Sequence, residues 1–418
     1  MTQYKIMTNK ARGFCILLVA TIISWAFLVI VFVVVIDPYN LYNWFKYEGI
    51  NTKKPDTTRY LEEIKLTEAK HLSPDLIILG NSRAEIGFDP QSSYLINHGY
   101  SAFNLAIRGS SISTSYRQLN QLIDKGIKPK KILIALDFID FLSPLKIKEN
   151  NISPPLLETV STPIDEWFWR FDCLISIATI KDAITTLLIQ NNPEAASLTE
   201  RGFNPLKEYL PMARNEGYYA LFRQRAEENT KNYLKKSTLH LDNNGFLFFQ
   251  EIVKIAISID SQVIVIIYPY HAQILALLEY AGVLPLFSDW KSEIIDQLEL
   301  SKESTGYSKL EVIDFSGYGE YQCESIPSKG DLRSSTKWYW EAGHFKSELG
   351  NIVIENSLIS SDNTLNPNSI FGTKLHKSNL AQNQERMFTE REACINNHPE
   401  IFNEAKLLVD SARTKTTH

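Results

Sequence analysis

The sequence predicts an α/β fold: a doubly wound, five-stranded parallel sheet with a helical insertion, preceded by one transmembrane helix. Three observations predict it. A single uncharged apolar run fills residues 13–36. Five short apolar runs come after it, continuous rather than alternating, as in strands buried on both faces of a parallel sheet. Segments of helical spacing separate them, and alternation of the two kinds implies helices covering both faces of the sheet.

In chain order, residues 1–12 form a tail carrying Lys5, Lys10 and Arg12 and no acidic residue. The run at 13–36, GFCILLVATIISWAFLVIVFVVVI, gives a helix about 36 Å long, enough to cross a bilayer. It ends in Val-Val-Val-Ile followed by Asp37-Pro38 rather than in small residues, so a retained anchor is expected in place of a cleaved signal peptide. Only Lys46 is basic in the first fifteen positions beyond the run. This bias puts the N-terminus inside a single-pass cytoplasmic (inner) membrane protein and the remaining chain in a periplasmic or extracellular space.

Residues 37–73 read as a polar connector with one helix near 58–71. The main domain is expected over 74–360, its strands at 75–79 (DLIIL), 102–107 (AFNLAI), 131–138 (KILIALDF), 262–268 (QVIVIIY) and 310–315 (LEVIDF). Helical spacing falls at 113–125, 271–281, 288–302 and 346–358. Between strands three and four, residues 144–244 are far longer than a crossover needs and form the helical insertion, which either roofs the site or packs on the sheet. Its cluster Trp167-Phe168-Trp169 either stacks on sugar rings or packs internally. Residues 361–418 read as a C-terminal appendage with helices near 382–392 and 400–412.

Composition excludes several classes. With 44% hydrophobic and 22% charged residues among 418, the chain can bury a full core. A net charge of −5 with scattered basic residues gives no footprint for nucleic acid. Cys15, Cys173, Cys323 and Cys394 lack metal or CxxC spacing, so neither a metal site nor a cofactor is expected. A disulfide framework is not expected either, which leaves open one bridge among the last three in an oxidising compartment.

Chemistry is concentrated at two places far apart in sequence. Strand one runs into Gly80-Asn81-Ser82-Arg83, which puts Ser82 at the carboxyl end of a parallel strand, where open α/β sheets hold their sites. A serine hydroxyl needs a positioned base, and His344 in WYWEAGHF is the candidate. Glu341, three residues earlier, would hold its other ring nitrogen, with Asp314 as the alternative orienter. Arg83 either binds an anionic group of the substrate or pairs with Asp137 or Glu85. Asp137 and Asp140 face the same edge, where they orient Arg83, bind sugar hydroxyls or cap the next turn of the chain. His271, directly after strand four, either contacts substrate or serves as an ordinary helix N-terminal residue.

DLIILGNSR is similar to the first motif of SGNH (GDSL-like) hydrolases, AFNLAIRGSS to their second strand and loop glycine, and WYWEAGHF to their terminal D-x-x-H motif, with Glu341 in place of Asp. The pieces resemble the membrane-bound branch that includes alginate O-acetylation and teichoic-acid D-alanylation proteins. The resemblance implies a flavodoxin-like strand order and an ester hydrolase or O-acyltransferase with Ser82, His344 and Glu341 as catalytic residues. It also implies an oxyanion hole from the Ser82 and Gly109 N–H groups, with Asn81 or Asn104 expected to stand in for a missing side-chain donor; Arg83, His271 and Asp137 remain the substrate-binding candidates read from their positions. The expected partners are an acylated polysaccharide, the bilayer through residues 13–36, and a membrane O-acyltransferase or polysaccharide export complex. The family's third motif, G-x-N-D, is not matched: Ala135-Leu136-Asp137-Phe138 stands there without the Asn that would supply an oxyanion donor. This departure leaves a catalytically degenerate glycan-binding or scaffold protein as the alternative.

Overall fold

The computed structural model describes residues 2–143, 163–241, 243–361 and 371–416. They fall into two compact units, one drawn from Met1–Tyr60 and Thr159–Leu198, the other from Leu61–Glu158 and Thr199–His418. The insertion at 144–244 is shared between the units, and the connector at 37–73 is cut near residue 60.

The first unit is built around the helix Thr2–Ile36, of which Ala11–Ile36 is long and apolar enough to cross a membrane. Its last carbonyls are met rather than orphaned. Lys54 Nζ donates to the Asp37 carbonyl at 2.6 Å, and Asn51 Nδ2 to that of Val35 at 3.1 Å. Two further helices, Pro163–Ile175 and Ile177–Ile189, pack against this end. A short antiparallel pairing of Lys54–Pro55 with Ser197–Leu198 closes the unit.

The second unit is α/β. Its sheet contains β1 (Leu76–Leu79), β2 (Ala102–Asn104), β3 (Lys131–Leu136), β4 (Gln262–Ile267), β5 (Leu310–Asp314) and β6 (Thr373–Lys374). The spatial order is β2-β1-β3-β4-β5-β6, with β1 to β5 parallel and β6 antiparallel to β5. The sheet is therefore mixed and six-stranded, where the sequence predicts five parallel strands. The sixth strand is two residues long and carries no apolar run, so hydrophobic patterning gives no sign of it.

The apolar residues of β1, β3 and β4 are buried, each fully buried aliphatic side chain contributing about 1.5–3 kcal/mol. Helix Ala272–Ala281 is apolar on nearly every face because it is enclosed, with Tyr218–Lys236 and Pro399–Thr416 packed against it. The C-terminal segment is therefore part of the domain and not an appendage. A disulfide, Cys323–Cys394, fixes its other helix, Leu380–Asn397, to the loop after β5, with the two Cα atoms 5.9 Å apart.

Candidate active site

The site is assembled at the carboxyl end of β1. Gly80 has φ +154°, and a Cβ there would lie 2.6 Å from the Tyr268 hydroxyl and 2.9 Å from Ala84 Cβ, so only glycine lets the chain turn here. The turn opens a six-residue helix, Ser82–Gly87, whose N-cap Asn81 accepts the Arg83 N–H at 3.1 Å. Ser82 is its first residue. Asn104 donates to the Ala84 and Phe88 carbonyls at 2.8 Å each, which ties this helix to β2.

His344 reaches the same edge on a tight antiparallel hairpin, Tyr339–Glu341 with His344–Phe345. Phe345 lies against Phe88 and Tyr268, with ring centroids at 5.3 and 6.2 Å. The helix Ser347–Ser361 then packs so tightly on the Ser82 helix that a Cβ on Gly350 would overlap the Gly87 carbonyl oxygen. These contacts fix the two distant parts of the chain in one geometry. His344 Nε2 is 2.9 Å from Ser82 Oγ, and His344 Nδ1 is hydrogen-bonded to Glu341 Oε1.

Glu341 is itself held. It is buried, its Oε2 accepts the Gly343 N–H at 2.6 Å, and Arg225 Nε lies 3.1 Å from Oε1. Burial works to raise its pKa. The charge and hydrogen bond of His344, the Arg225 guanidinium and the Gly343 N–H outweigh it and leave the carboxyl below its ordinary value. An ionised orienter on Nδ1 selects the tautomer in which Nε2 can accept the serine proton.

A cleft of about 270 Å³ opens over this pair, lined among others by Asn81, Gly109, Asp140 and Lys236. Among the described residues, the Ser82 and Gly109 N–H groups have no protein acceptor, so both can donate to a ligand in the cleft. Gly109 sits at φ +69° on a loop fixed from below by Glu85. That buried carboxylate accepts the Arg108 N–H at 3.1 Å and pairs with buried Lys65 at 3.2 Å.

No protein-family model matches the chain, and no curated protein does.

The remaining candidates divide. Of its two candidate partners, Arg83 pairs with Asp137 and not with Glu85. Asp137 also accepts Asn81 Nδ2 at 2.8 Å and the Tyr270 hydroxyl at 2.9 Å. The two charges pair with each other, and both side chains line the cleft beside Ser82 and His344. Asn81 has the same double duty, as helix cap and as donor to Asp137.

His271 is not in the cleft. It is fully buried, its Nδ1 accepts the Gln273 N–H at 3.1 Å, and its Nε2 therefore donates to the Glu324 carbonyl at 2.9 Å. It is a helix cap packed edge-on against Phe222 and Tyr339. Asp314 is committed elsewhere, to Lys291 at 2.7 Å and Asn383 at 2.8 Å, so Glu341 alone orients His344.

Sequence reasoning missed one wall of the cleft. Arg225, Asn229, Asn232 and Lys236 all line it from the helix Tyr218–Lys236. Their spacing of four, three and four residues puts them on one face of that helix. A polar stripe at that period was the available signal. Asp140, opposite them, is pushed well up by burial and by the Asp137 charge, which favours its protonated, hydrogen-bond-donating form.

Proposed function

We propose that the chain is a membrane-anchored serine esterase or O-acyltransferase of the SGNH type, acting on acyl esters of an exported cell-surface polysaccharide. The observation that carries the proposal is the relay Ser82–His344–Glu341, with 2.9 Å between hydroxyl and imidazole. Parallel strands in the order β2-β1-β3-β4-β5, which is the flavodoxin-like order, support the family reading.

In this mechanism Ser82 Oγ attacks the acyl carbonyl while His344 Nε2 takes its proton. The carbonyl oxygen becomes an oxyanion between the Ser82 and Gly109 N–H groups. Its collapse expels the sugar oxygen, which receives the proton from His344, and leaves an acyl-serine. Water or another sugar hydroxyl, deprotonated by His344, then takes the acyl group and frees Ser82. The absent Asn of the third motif removes one side-chain donor, so the hole rests on backbone N–H groups. Asp137 in its place is paired with Arg83, so its charge opposes the oxyanion less than a free carboxylate would.

The proposed setting is outside the cytoplasmic membrane, with the N-terminus inside and with a membrane O-acyltransferase or polysaccharide export complex as partner. The Cys323–Cys394 bridge supports an oxidising compartment for the second unit. The test is hydrolysis of p-nitrophenyl acetate by the full chain in detergent. Turnover is expected for the wild type and is expected to vanish in Ser82→Ala with thermal stability unchanged. Equal turnover in the two proteins would refute the assignment.

A further inference from the structure

The first unit carries a hairpin of two helices, Pro163–Ile175 and Ile177–Ile189, that buries threonines and exposes large apolar side chains. In Ile177–Ile189 the buried positions are Thr179, Ala183 and Thr186, with both threonines at 0% exposure. Ile177 and Leu188 on the same helix are 87% and 75% exposed. The neighbouring helix presents Trp167 and Phe168 at 58% and 59%. Lys181 is exposed, while Asp172 and Asp182 are engaged within the unit. Asp172 pairs with Arg59 at 2.7 Å, and Asp182 on the second helix accepts the Tyr39 hydroxyl at 2.6 Å. A hairpin suited to water would reverse this arrangement.

The surroundings of the hairpin identify what covers it. Leu174 and Ala183 pack on Val29, Phe32, Val33 and Ile36, the last turns of the candidate membrane span. Counting about 20 residues for the hydrocarbon core from the start of the apolar run at Gly13 places its far boundary near residue 32. The hairpin therefore sits level with that boundary. Each of its helices, at 13 residues, is about 20 Å long and too short to cross. In the same unit, Trp44 and Tyr47 are 69% and 55% exposed, the residue types that gather at headgroup level.

We infer that the hairpin 163–189 lies in the lipid interface at the outer end of the anchor, with its apolar face in the bilayer, as a second membrane contact beyond the spanning helix. A short amphipathic element held against a spanning helix would fix the unit's tilt and depth, which a single helix alone leaves free. Trp167 and Phe168 then contact lipid, not sugar or the protein core. Trp169 is buried, with Arg170 over its ring at 4.8 Å.

The test uses the full chain in phosphatidylcholine–phosphatidylglycerol vesicles, with no other protein present. A nitroxide is attached at Ile177→Cys or, separately, at Leu188→Cys, in a Cys15→Ser background, since Cys15 is exposed and Cys173 is buried. Power saturation compares collisions with oxygen, which partitions into lipid, and with a water-soluble nickel chelate. A label at Lys309→Cys, on the exposed surface of the second unit, is the aqueous control. The expected result is an oxygen-to-nickel ratio several-fold above the control at both hairpin positions. A ratio equal to the control would place the hairpin in water and overturn the inference. Shielding from both reagents would also overturn it, because the face would then be covered by a second copy of the chain.

Discussion

At the scale of single residues, the proposed chemistry depends on which nitrogen of His344 carries a proton. Glu341 is ionised and accepts from Nδ1, so Nε2 is left as the base facing Ser82. Glu341→Gln keeps the shape but can present its amide N–H to the ring and favour the wrong tautomer. A fall in kcat of up to about 10⁴-fold is expected, the size of the loss when a serine triad's carboxylate is amidated. Steady-state kinetics on an activated ester checks it.

His271 gives a second expectation. Burial pushes its imidazole down to about 4 from 6.5. Between those values the unfolded chain binds a proton that the folded chain refuses, so stability rises with pH across this window. The contribution is complete above about 6.5 and is lost as pH falls toward 4. A shift of that size corresponds to roughly 3 kcal/mol. Denaturation midpoints of the wild type measured at pH 7 and pH 4.5 should differ by more than those of His271→Asn, which has no imidazole to protonate.

Individual residues were unevenly legible in the sequence. Ser82, His344 and Glu341 could be named because each stands beside a strand end or a glycine turn, features that survive in a linear string. His271 has the same kind of address, directly after β4, and it misled. Whether a side chain at a strand end turns toward the cleft or back into the core depends on its neighbours, here Phe222 and Tyr339. In the sequence Arg83 is compatible with either Asp137 or Glu85 as partner, and only the three-dimensional contact selects Asp137.

At the scale of elements, long apolar patterns were readable and short or polar ones were not. Strands β1, β3, β4 and β5 and helix Ile112–Asp124 fall where the periodicity places them, because burial on both faces or on one stripe writes itself into the sequence. The edge strand β6 has two residues and no such signature. The C-terminal helices were found as helices but misread as an appendage, since a polar helix can still bury one narrow stripe, as Ile401, Ala405 and Val409 do. Their attachment is covalent as well. The Cys323–Cys394 bridge closes a separation of 71 residues, for which loop entropy in the unfolded chain predicts about 4 kcal/mol of stabilisation. Cys323→Ala should therefore lower Tm markedly in scanning calorimetry, as should dithiothreitol on the wild type. No change in either would show that the bridge does not hold the C-terminal helices.

At the scale of the whole molecule, the chain combines a helix able to span a membrane with an α/β unit that brings together a serine and a histidine 262 positions apart. The fold class follows from hydrophobic patterning alone. The division into two units does not, because the helices 163–189 join the N-terminal unit through contacts with the helix Thr2–Ile36 that no local pattern encodes. The proposed function requires Ser82 to be an activated nucleophile, and covalent labelling reads that property out at the residue itself. The full chain in detergent micelles is treated with a fluorophosphonate, digested, and mapped by mass spectrometry. A single phosphonylated peptide is expected, carrying the adduct on Ser82, lost on heat denaturation and strongly reduced in His344→Ala. An unmodified Ser82 in folded protein would show that the hydroxyl is not activated and would end the esterase assignment.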